Sequence, residues 1–208
     1  MREILGKVKN GVVGGIRGIL GIIFPAQCVR CKAEGAYVCE KCWVFVGEAA
    51  LICPVCTQAS FLGERHARCA SRYGLDGLIG MWEYEGLIRK VVLQAKYRNI
   101  YDAFSQMTQA AFYGMMREKD RFALFLDFIG VGDAVVVYVP MHKKKEWKRG
   151  FNQSEVVARE ISKITRQEVA PLLEKAKDTL PQAKLDKKQR MNNVKGSVAM
   201  NAKQNVLH

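Results

Sequence analysis

Residues 28–69, CVRCKAEGAYVCEKCWVFVGEAALICPVCTQASFLGERHARC, contain all seven cysteines of the chain and one of its three histidines. Two cysteines separated by two residues can turn both side chains onto one metal ion, and two such pairs complete a tetrahedron. The spacing predicts two closed zinc sites, which are structural because no coordination position is left open. The eight predicted ligands are Cys28, Cys31, Cys39, Cys42, Cys53, Cys56, His66 and Cys69.

The order of these ligands allows two pairings. We favour sequential pairing, in which the first four cysteines hold one ion and His66 replaces a thiolate in the second site, because each half is an independent knuckle–loop–knuckle unit. Interleaved pairing, with the first and third pairs on one ion, is the alternative. We also predict a short helix in the apolar link, residues 43–52.

Other uses of these cysteines are less consistent with the pattern. An odd number of cysteines in repeated C-x-x-C pairs disfavours a disulfide framework. A redox pair, an iron–sulfur cluster and buried free thiols are further alternatives. Thiolate ligation of zinc is typical of a reducing compartment, and we therefore predict a cytoplasmic protein.

Composition divides the chain into three parts. Residues 1–24 are apolar and glycine-rich, with apolar side chains near helical spacing, and we predict an amphipathic helix that packs on the protein or lies on a membrane surface. Its uncharged stretch is too short to span a bilayer, so we predict no integral membrane segment. Residues 25–72 form the predicted double zinc ribbon, and residues 73–208 form a second domain.

The second domain has an α/β pattern. Residues 75–84 suggest a strand or hairpin arm, and residues 86–96, 101–120 and 154–165 have the apolar spacing of amphipathic helices. Residues 134–140, AVVVYVP, are typical of a buried parallel strand that ends at a proline. This order predicts an α/β fold with a parallel sheet and helices.

A basic segment, MHKKKEWKRGFNQSE (residues 141–155), follows the predicted central strand. Ligands of open parallel sheets bind beyond the carboxyl ends of strands, and a helix N-terminus there favours phosphate. The predicted phosphate- or pyrophosphate-binding residues are His142, Lys143, Lys144, Lys145, Arg149, Gly150, Asn152 and Gln153. A solvated basic loop is the alternative, and no residue has the pattern of a catalytic nucleophile or general base.

The overall charge supports an anionic partner. The formal net charge is +13, and residues 141–208 hold 16 of the 33 basic residues but only 7 of the 20 acidic ones. Such an imbalance favours association with nucleic acid or phosphates.

Several short motifs follow the cysteines in a fixed order: Lys96-Tyr97, Val139-Pro140, Arg149-Gly150-Phe151-Asn152-Gln153, Thr179-Leu180-Pro181-Gln182, Arg190 and Asn192-Asn193-Val194. Together with the zinc knuckles they resemble the ComF family of phosphoribosyltransferase-like proteins. The resemblance covers nearly the whole chain. It implies a double zinc ribbon before a type I phosphoribosyltransferase-like domain.

The resemblance also implies a role in DNA uptake during natural transformation, with single-stranded DNA and competence or recombination proteins as partners. By the same resemblance, residues 178–194 form a mobile loop that closes over the site and includes Gln182, Lys184, Arg190 and Asn193. A disordered basic linker is the alternative for this segment.

The chain departs from the family at one element. Type I phosphoribosyltransferases hold the ribose and 5′-phosphate of phosphoribosyl pyrophosphate with a pair of acidic residues and a Thr/Gly loop, and the 208 residues contain no such pair. We therefore expect a C-terminally incomplete transferase domain, in which catalysis with Mg²⁺ and phosphoribosyl pyrophosphate belongs to a longer form.

Three functions remain for comparison. The favoured one is a competence-type protein that binds single-stranded nucleic acid or phosphate ligands through its basic C-terminal region. The second is a phosphoribosyltransferase that transfers ribose 5-phosphate to a nitrogen nucleophile. The third is a zinc-stapled scaffold without a ligand.

Overall fold

The computed structural model describes residues 25–72, 74–130, 134–180, 182 and 185–201. The predicted N-terminal helix, residues 1–24, lies outside them, as does Lys184. The described part of the metal module has little regular structure: helix α1, Glu40–Trp43, and two single turns of 3₁₀ helix, Phe61–Gly63 and Ala67–Cys69.

The helix predicted across residues 43–52 is wrong, because α1 ends at Trp43, residues 44–45 form a turn, and residues 47–49 lie beside residues 81–83. The amide of Ala49 donates to the carbonyl oxygen of Met81 at 3.3 Å, and the amide of Glu83 donates to that of Gly47 at 3.0 Å. The link therefore satisfies its backbone groups by lying beside residues 81–83. Residues 75–84, predicted as a strand or hairpin arm, form isolated antiparallel bridges instead of a regular strand.

The second domain is a mixed helix and small-sheet structure. Its helices are α2, Gly86–Tyr97; α3, Tyr101–Arg117; α4, Ala123–Gly130; α5, Lys143–Arg149; α6, Gln153–Thr165; and α7, Lys187–Val194. Its strands are β1, Val135–Val136; β2, Glu168–Val169; β3, Leu173–Lys175; and β4, Val198–Met200. The three amphipathic helices predicted from apolar spacing are confirmed as α2, α3 and α6.

The strands form two small sheets. Strands β1 and β2 are parallel, with Val135 opposite Glu168, and strands β3 and β4 are antiparallel. The prediction of parallel pairing is confirmed, but the prediction of a buried central strand is wrong, because Val135 is 43% exposed and Val139 is 65% exposed. Among the described residues β1 has only one neighbouring strand, so no second strand covers its other edge.

One hydrophobic core joins the metal module to the second domain. Cys28 and Cys42 are buried together with Val91 of α2, Phe104 of α3 and Val156 of α6. Because these side chains are almost fully removed from water, the first cysteine group is part of the core on which the helices pack.

None of the described helices is long and apolar enough to cross a bilayer.

Candidate metal centres and basic surface

The eight predicted metal ligands meet in two groups, and within each group the donor atoms all lie within 4.8 Å of one another. The groups are Cys28, Cys31, Cys39 and Cys42, and Cys53, Cys56, His66 and Cys69. The donor atoms therefore meet in the sequential grouping and not in the interleaved one. All seven cysteines are free thiols, so no disulfide competes for them.

The distances within each group suit a tetrahedral zinc ion. With Zn–S bonds of about 2.3 Å, tetrahedral angles place two sulfurs roughly 3.8 Å apart, and a sulfur and an imidazole nitrogen roughly 3.5 Å apart. The sulfurs of Cys31 and Cys39 are 3.4 Å apart, and the sulfur of Cys56 is 3.3 Å from Nδ1 of His66. Both groups could therefore hold a zinc ion.

Both groups begin with the same local fold. The amide of Lys32 donates to the carbonyl oxygen of Cys28 at 3.0 Å, and the amide of Thr57 donates to that of Cys53 at the same distance. Lys32 and Thr57 both have left-handed backbones, with φ of 64° and 61°. This turn brings the two thiols of each C-x-x-C pair to one side.

Backbone amides point at the first sulfur of each group. Burial raises the pKa of Cys28, but hydrogen bonds from the amides of Cys31, Cys39 and Arg30 outweigh it and lower the pKa to about 6. Cys53 is the equivalent residue of the second group, and its pKa is also lowered to about 6, despite burial, by the corresponding amides. These amides stabilise the thiolate form, which is the form that binds zinc.

The pKa of Cys42 shows why a cation would stabilise the first group. Burial and hydrogen bonds with the neighbouring cysteines raise the pKa of Cys42 to about 12. Four thiolates so close together repel one another, and a dication removes that repulsion. The donor set therefore fits a bound Zn²⁺ better than four free thiols.

His66 has the second contact that a ligating histidine needs. Its Nε2 lies 3.1 Å from the carbonyl oxygen of Ala59. A carbonyl oxygen can only accept, so Nε2 carries the proton and Nδ1 turns its lone pair toward Cys56. The sequence predicted the histidine as a ligand, but the contact with Ala59 could be found only in the structure.

The basic segment after β1 is a helix, α5, where the sequence suggested a loop. His142 caps its first turn by accepting from the amide of Lys144 at 3.4 Å. Asn152 caps α6 by accepting from Ser154, and its amide nitrogen donates to the carbonyl oxygen of Val139 at 3.1 Å. The helical backbone turns successive lysines in different directions, so the predicted phosphate site does not form as one cluster.

Part of the predicted phosphate site does come together. His142, Lys145, Asn152 and Gln153 line a cleft of about 160 Å³ beyond the end of β1. Within it, Lys145 lies 3.1 Å from a carboxylate oxygen of Asp178, which neutralises its charge. The hydrogen bond from Lys145 lowers the pKa of Asp178, so the carboxylate is ionised at neutral pH.

The remaining predicted residues lie elsewhere. Arg149 and Gly150 line a different, larger cleft beside the metal module. Lys143 and Lys144 lie on the outside of α5 around Trp147, with Lys148. We call this outer face of α5, made of Lys143, Lys144, Trp147 and Lys148, the lysine–tryptophan face.

Trp147 was not among the residues predicted to bind a ligand. Its side chain is 89% exposed, although tryptophan is mostly buried in folded proteins. The sequence did contain a sign of this face. Trp147 follows Lys143 and Lys144 by four and three residues, and this spacing places all three side chains on one face of a helix.

The segment predicted to be a mobile loop contains helix α7. Asp186 and Gln189 form a capping box at its start, with bonds of 2.8 and 3.0 Å. The side chain of Asn193 bonds to both the amide and the carbonyl of Leu180, at 3.1 and 2.9 Å. Sequence periodicity did not reveal α7 because none of its described side chains is buried, so it has no apolar stripe.

Two more of the predicted loop residues make contacts within this segment. Nε of Arg190 donates to the carbonyl oxygen of Gln182 at 3.0 Å. Arg190 and Asn193 therefore hold the segment together in this structure, and strands β3 and β4 pair at its base.

Comparison of the chain with models of known protein families, with curated proteins and with solved structures gives no match.

Proposed function

We propose that this protein is a zinc-stabilised, phosphoribosyltransferase-like protein of the ComF type that binds single-stranded nucleic acid. The observation that carries the proposal is the lysine–tryptophan face, where an almost fully exposed indole is surrounded by three lysines. The two groups of zinc-competent ligands agree with the double zinc ribbon of that family.

The chemistry of the face suits a single strand better than a duplex. An exposed aromatic ring can stack on an unpaired base and contribute about 1–3 kcal/mol without regard to its sequence. Lysines beside the ring attract the phosphates on either side of that base. In a duplex the bases are already stacked on one another, so the indole has nothing to stack on.

The wider role follows from the resemblance and the thiol chemistry. We propose that the protein acts in DNA uptake, with competence or recombination proteins as partners. Its seven free thiols fit a reducing compartment, and we propose the cytoplasm as its location.

A binding assay with a labelled single-stranded oligonucleotide and the matching duplex tests the proposal. Trp147→Ala is expected to weaken single-strand binding by roughly tenfold, in line with the loss of one stacked base. The matched control is Tyr113→Ala, which removes another exposed ring, 70% accessible, from α3. Equal affinity of wild type and Trp147→Ala, or a preference for the duplex, would contradict the proposal.

The salt dependence supplies a second readout. Lys148→Gln is expected to lower the slope of log affinity against log salt by about 0.7, the value for one phosphate contact on a single strand. An unchanged slope would show that Lys148 contacts no phosphate.

A phosphoribosyltransferase is the second candidate, and one observation favours it. The cleft beyond β1 gathers His142, Lys145, Asn152 and Gln153 where that class binds pyrophosphate. However, Asp178 already neutralises Lys145, so we rank this function below nucleic-acid binding. Calorimetry with phosphoribosyl pyrophosphate and Mg²⁺ is expected to give weak heat or none for this chain, and micromolar binding would reverse the ranking.

A further inference from the structure

A large cleft lies between the metal module and the second domain. Its volume is about 740 Å³, within the range of small-molecule sites. One wall comes from the residues around the first cysteine group, the second from the turn between α2 and α3, and the third from the end of α5 and the residues after it. Six lining residues carry the argument: Lys32, Tyr37, Arg98, Asp102, Arg149 and Phe151. We call it the interdomain cleft.

Positive charge dominates the interdomain cleft. Lys32, Arg98 and Arg149 line it from three different segments, against the single carboxylate of Asp102. Among the residues that the structure describes, none of these three cations forms an ion pair with a carboxylate. The guanidinium of Arg149 donates to the side-chain oxygen of Gln153 at 2.6 Å, but a neutral amide does not cancel its charge.

Arg149 also acts electrostatically on Lys96, a half-buried lysine of α2 that does not itself line the cleft. Burial lowers the pKa of Lys96, and the charge of Arg149 lowers it further. Two half-buried cations repel each other unless an anion lies nearby, and an arginine guanidinium matches the oxygens of a phosphate in a bidentate way. The charges therefore point to a phosphate group.

The other lining residues suit an aromatic ring with polar edges. The rings of Phe151 and Tyr101 both line the cleft and lie 5.7 Å apart, so they form an aromatic wall. Phe104, whose ring lies 6.1 Å from that of Phe151, is buried and does not line the cleft. Tyr37 and Asp102 line the same cleft and supply a hydroxyl donor and a carboxylate acceptor. Donor and acceptor together can recognise the hydroxyl or amino groups of a nucleoside.

We propose that the interdomain cleft binds a mononucleotide, with its phosphate on Arg149, Arg98 and Lys32 and its base against the aromatic wall. This site is separate from the lysine–tryptophan face and does not depend on the proposed nucleic-acid binding. It is also separate from the cleft beyond β1, with which it shares none of its lining residues.

The metal supports one wall of this site. The amide of Lys32 bonds to the carbonyl oxygen of Cys28, and the amide of Val29 bonds to the carbonyl oxygen of Tyr37 at 3.0 Å. Both lining residues are thus fixed by the backbone of the first knuckle. Loss of the metal would let the thiolates separate and would remove Lys32 and Tyr37 from the cleft.

Calorimetry on the zinc-loaded protein tests the proposal, with adenosine 5′-monophosphate, adenosine and inorganic phosphate as probes. We expect the monophosphate to bind and the other two probes to bind at least tenfold more weakly. Adenosine lacks the phosphate that the cations would hold, and inorganic phosphate lacks the nucleoside. Arg98→Gln and Lys32→Gln should each weaken binding of the monophosphate by roughly tenfold, the effect of one charge-assisted contact. Both positions are exposed, so these variants should fold.

Three controls separate this site from the other proposals. Arg117→Gln, an exposed arginine at the end of α3, and Trp147→Ala should leave binding of the monophosphate unchanged. Removal of zinc by a chelator should abolish binding, and zinc added back should restore it.

The following results would overturn the proposal. One is no binding of the monophosphate by the zinc-loaded protein at millimolar concentration, and another is wild-type affinity in Arg98→Gln and Lys32→Gln. Inorganic phosphate that binds as tightly as the monophosphate would show a simple anion site. Arg98→Gln that weakens only oligonucleotide binding would assign the cleft to nucleic acid.

Discussion

The two cysteine groups begin with the same knuckle but differ in what surrounds them. The first group contributes Cys28 and Cys42 to the core shared with α2, α3 and α6. The second group packs against the extended residues 74–80, where the amide of Leu78 bonds to the carbonyl of Gly63 and the amide of Arg65 to that of Asp76. The first metal group therefore supports the core shared by both parts of the chain, whereas the second supports only its own surroundings.

Loss of the first metal site should have the largest effect. Cys42→Ser removes a buried ligand, and structural zinc contributes apparent free energies of about 10–16 kcal/mol, as much as the whole stability of a typical domain. We expect the chain to lose cooperative thermal unfolding, measured by circular dichroism. A Cys42→Ser protein that keeps wild-type melting would show that the core does not depend on this site.

The second site should tolerate one replacement and not another. His66→Ala leaves three ligands, and we expect the zinc content to fall from two ions per chain to one, as measured by elemental analysis. His66→Cys restores a thiolate donor and should keep both ions. In both variants the helices should remain, because this group lies outside the shared core. An unchanged zinc content in His66→Ala would mean that His66 is not a ligand.

Arg121 is expected to contribute less to the free energy of unfolding than either metal ion. It pairs with Glu48, and its Nη2 donates to the carbonyl oxygen of Ala49 at 2.7 Å, so it ties the link between the two metal groups to the second domain. Arg121→Ala should lower the free energy of unfolding in urea by about 1–2 kcal/mol, with zinc content unchanged.

The matched control for this contact is Arg159→Ala. Arg159 pairs with Glu155 within α6 and is 58% exposed, so its loss should change the stability by less than about 0.5 kcal/mol. If both arginine substitutions lowered the free energy of unfolding equally, Arg121 would not tie the link to the second domain.

The ion pair between Lys145 and Asp178 should give the smallest effect on stability, since water reaches both side chains, which are 40% and 45% exposed, and screens the pair. The pKa of Asp178 is lowered in the folded protein, so its contribution to stability is present above the ordinary pKa and is lost as the pH falls below it. The small difference in melting temperature between wild type and Asp178→Asn should therefore shrink as the pH falls below about 4. A difference in melting temperature that grows as the pH falls would contradict the expected direction.

The sequence predicted which eight residues come together, because two-residue spacing alone turns two side chains to one side, but it only favoured the sequential grouping over the interleaved one. It also predicted α2, α3 and α6, whose apolar stripes face the core. It failed for the link 43–52, where pairing with residues 81–83 outweighs an apolar composition that also suits a helix. It failed for β1 because burial of a strand depends on its neighbours in the sheet.

The candidate binding surfaces were less predictable for a related reason. Sequence spacing placed eight residues in one phosphate site, but helix α5 turns Lys143 and Lys144 away from Lys145. The interdomain cleft joins three segments that are distant along the chain, from Lys32 to Arg149. No local pattern could reveal such a site, because only tertiary packing brings its walls together.

The most direct test of the unequal roles of the two metal groups is zinc titration of the chelated Cys69→Ser variant, which keeps only the first site. Helical content is followed by circular dichroism at each addition. If the first metal group supports the shared core, one equivalent of zinc restores nearly all of the helical signal of the wild-type protein. A helical signal that is independent of zinc, or that returns only when the second site is intact, would contradict it.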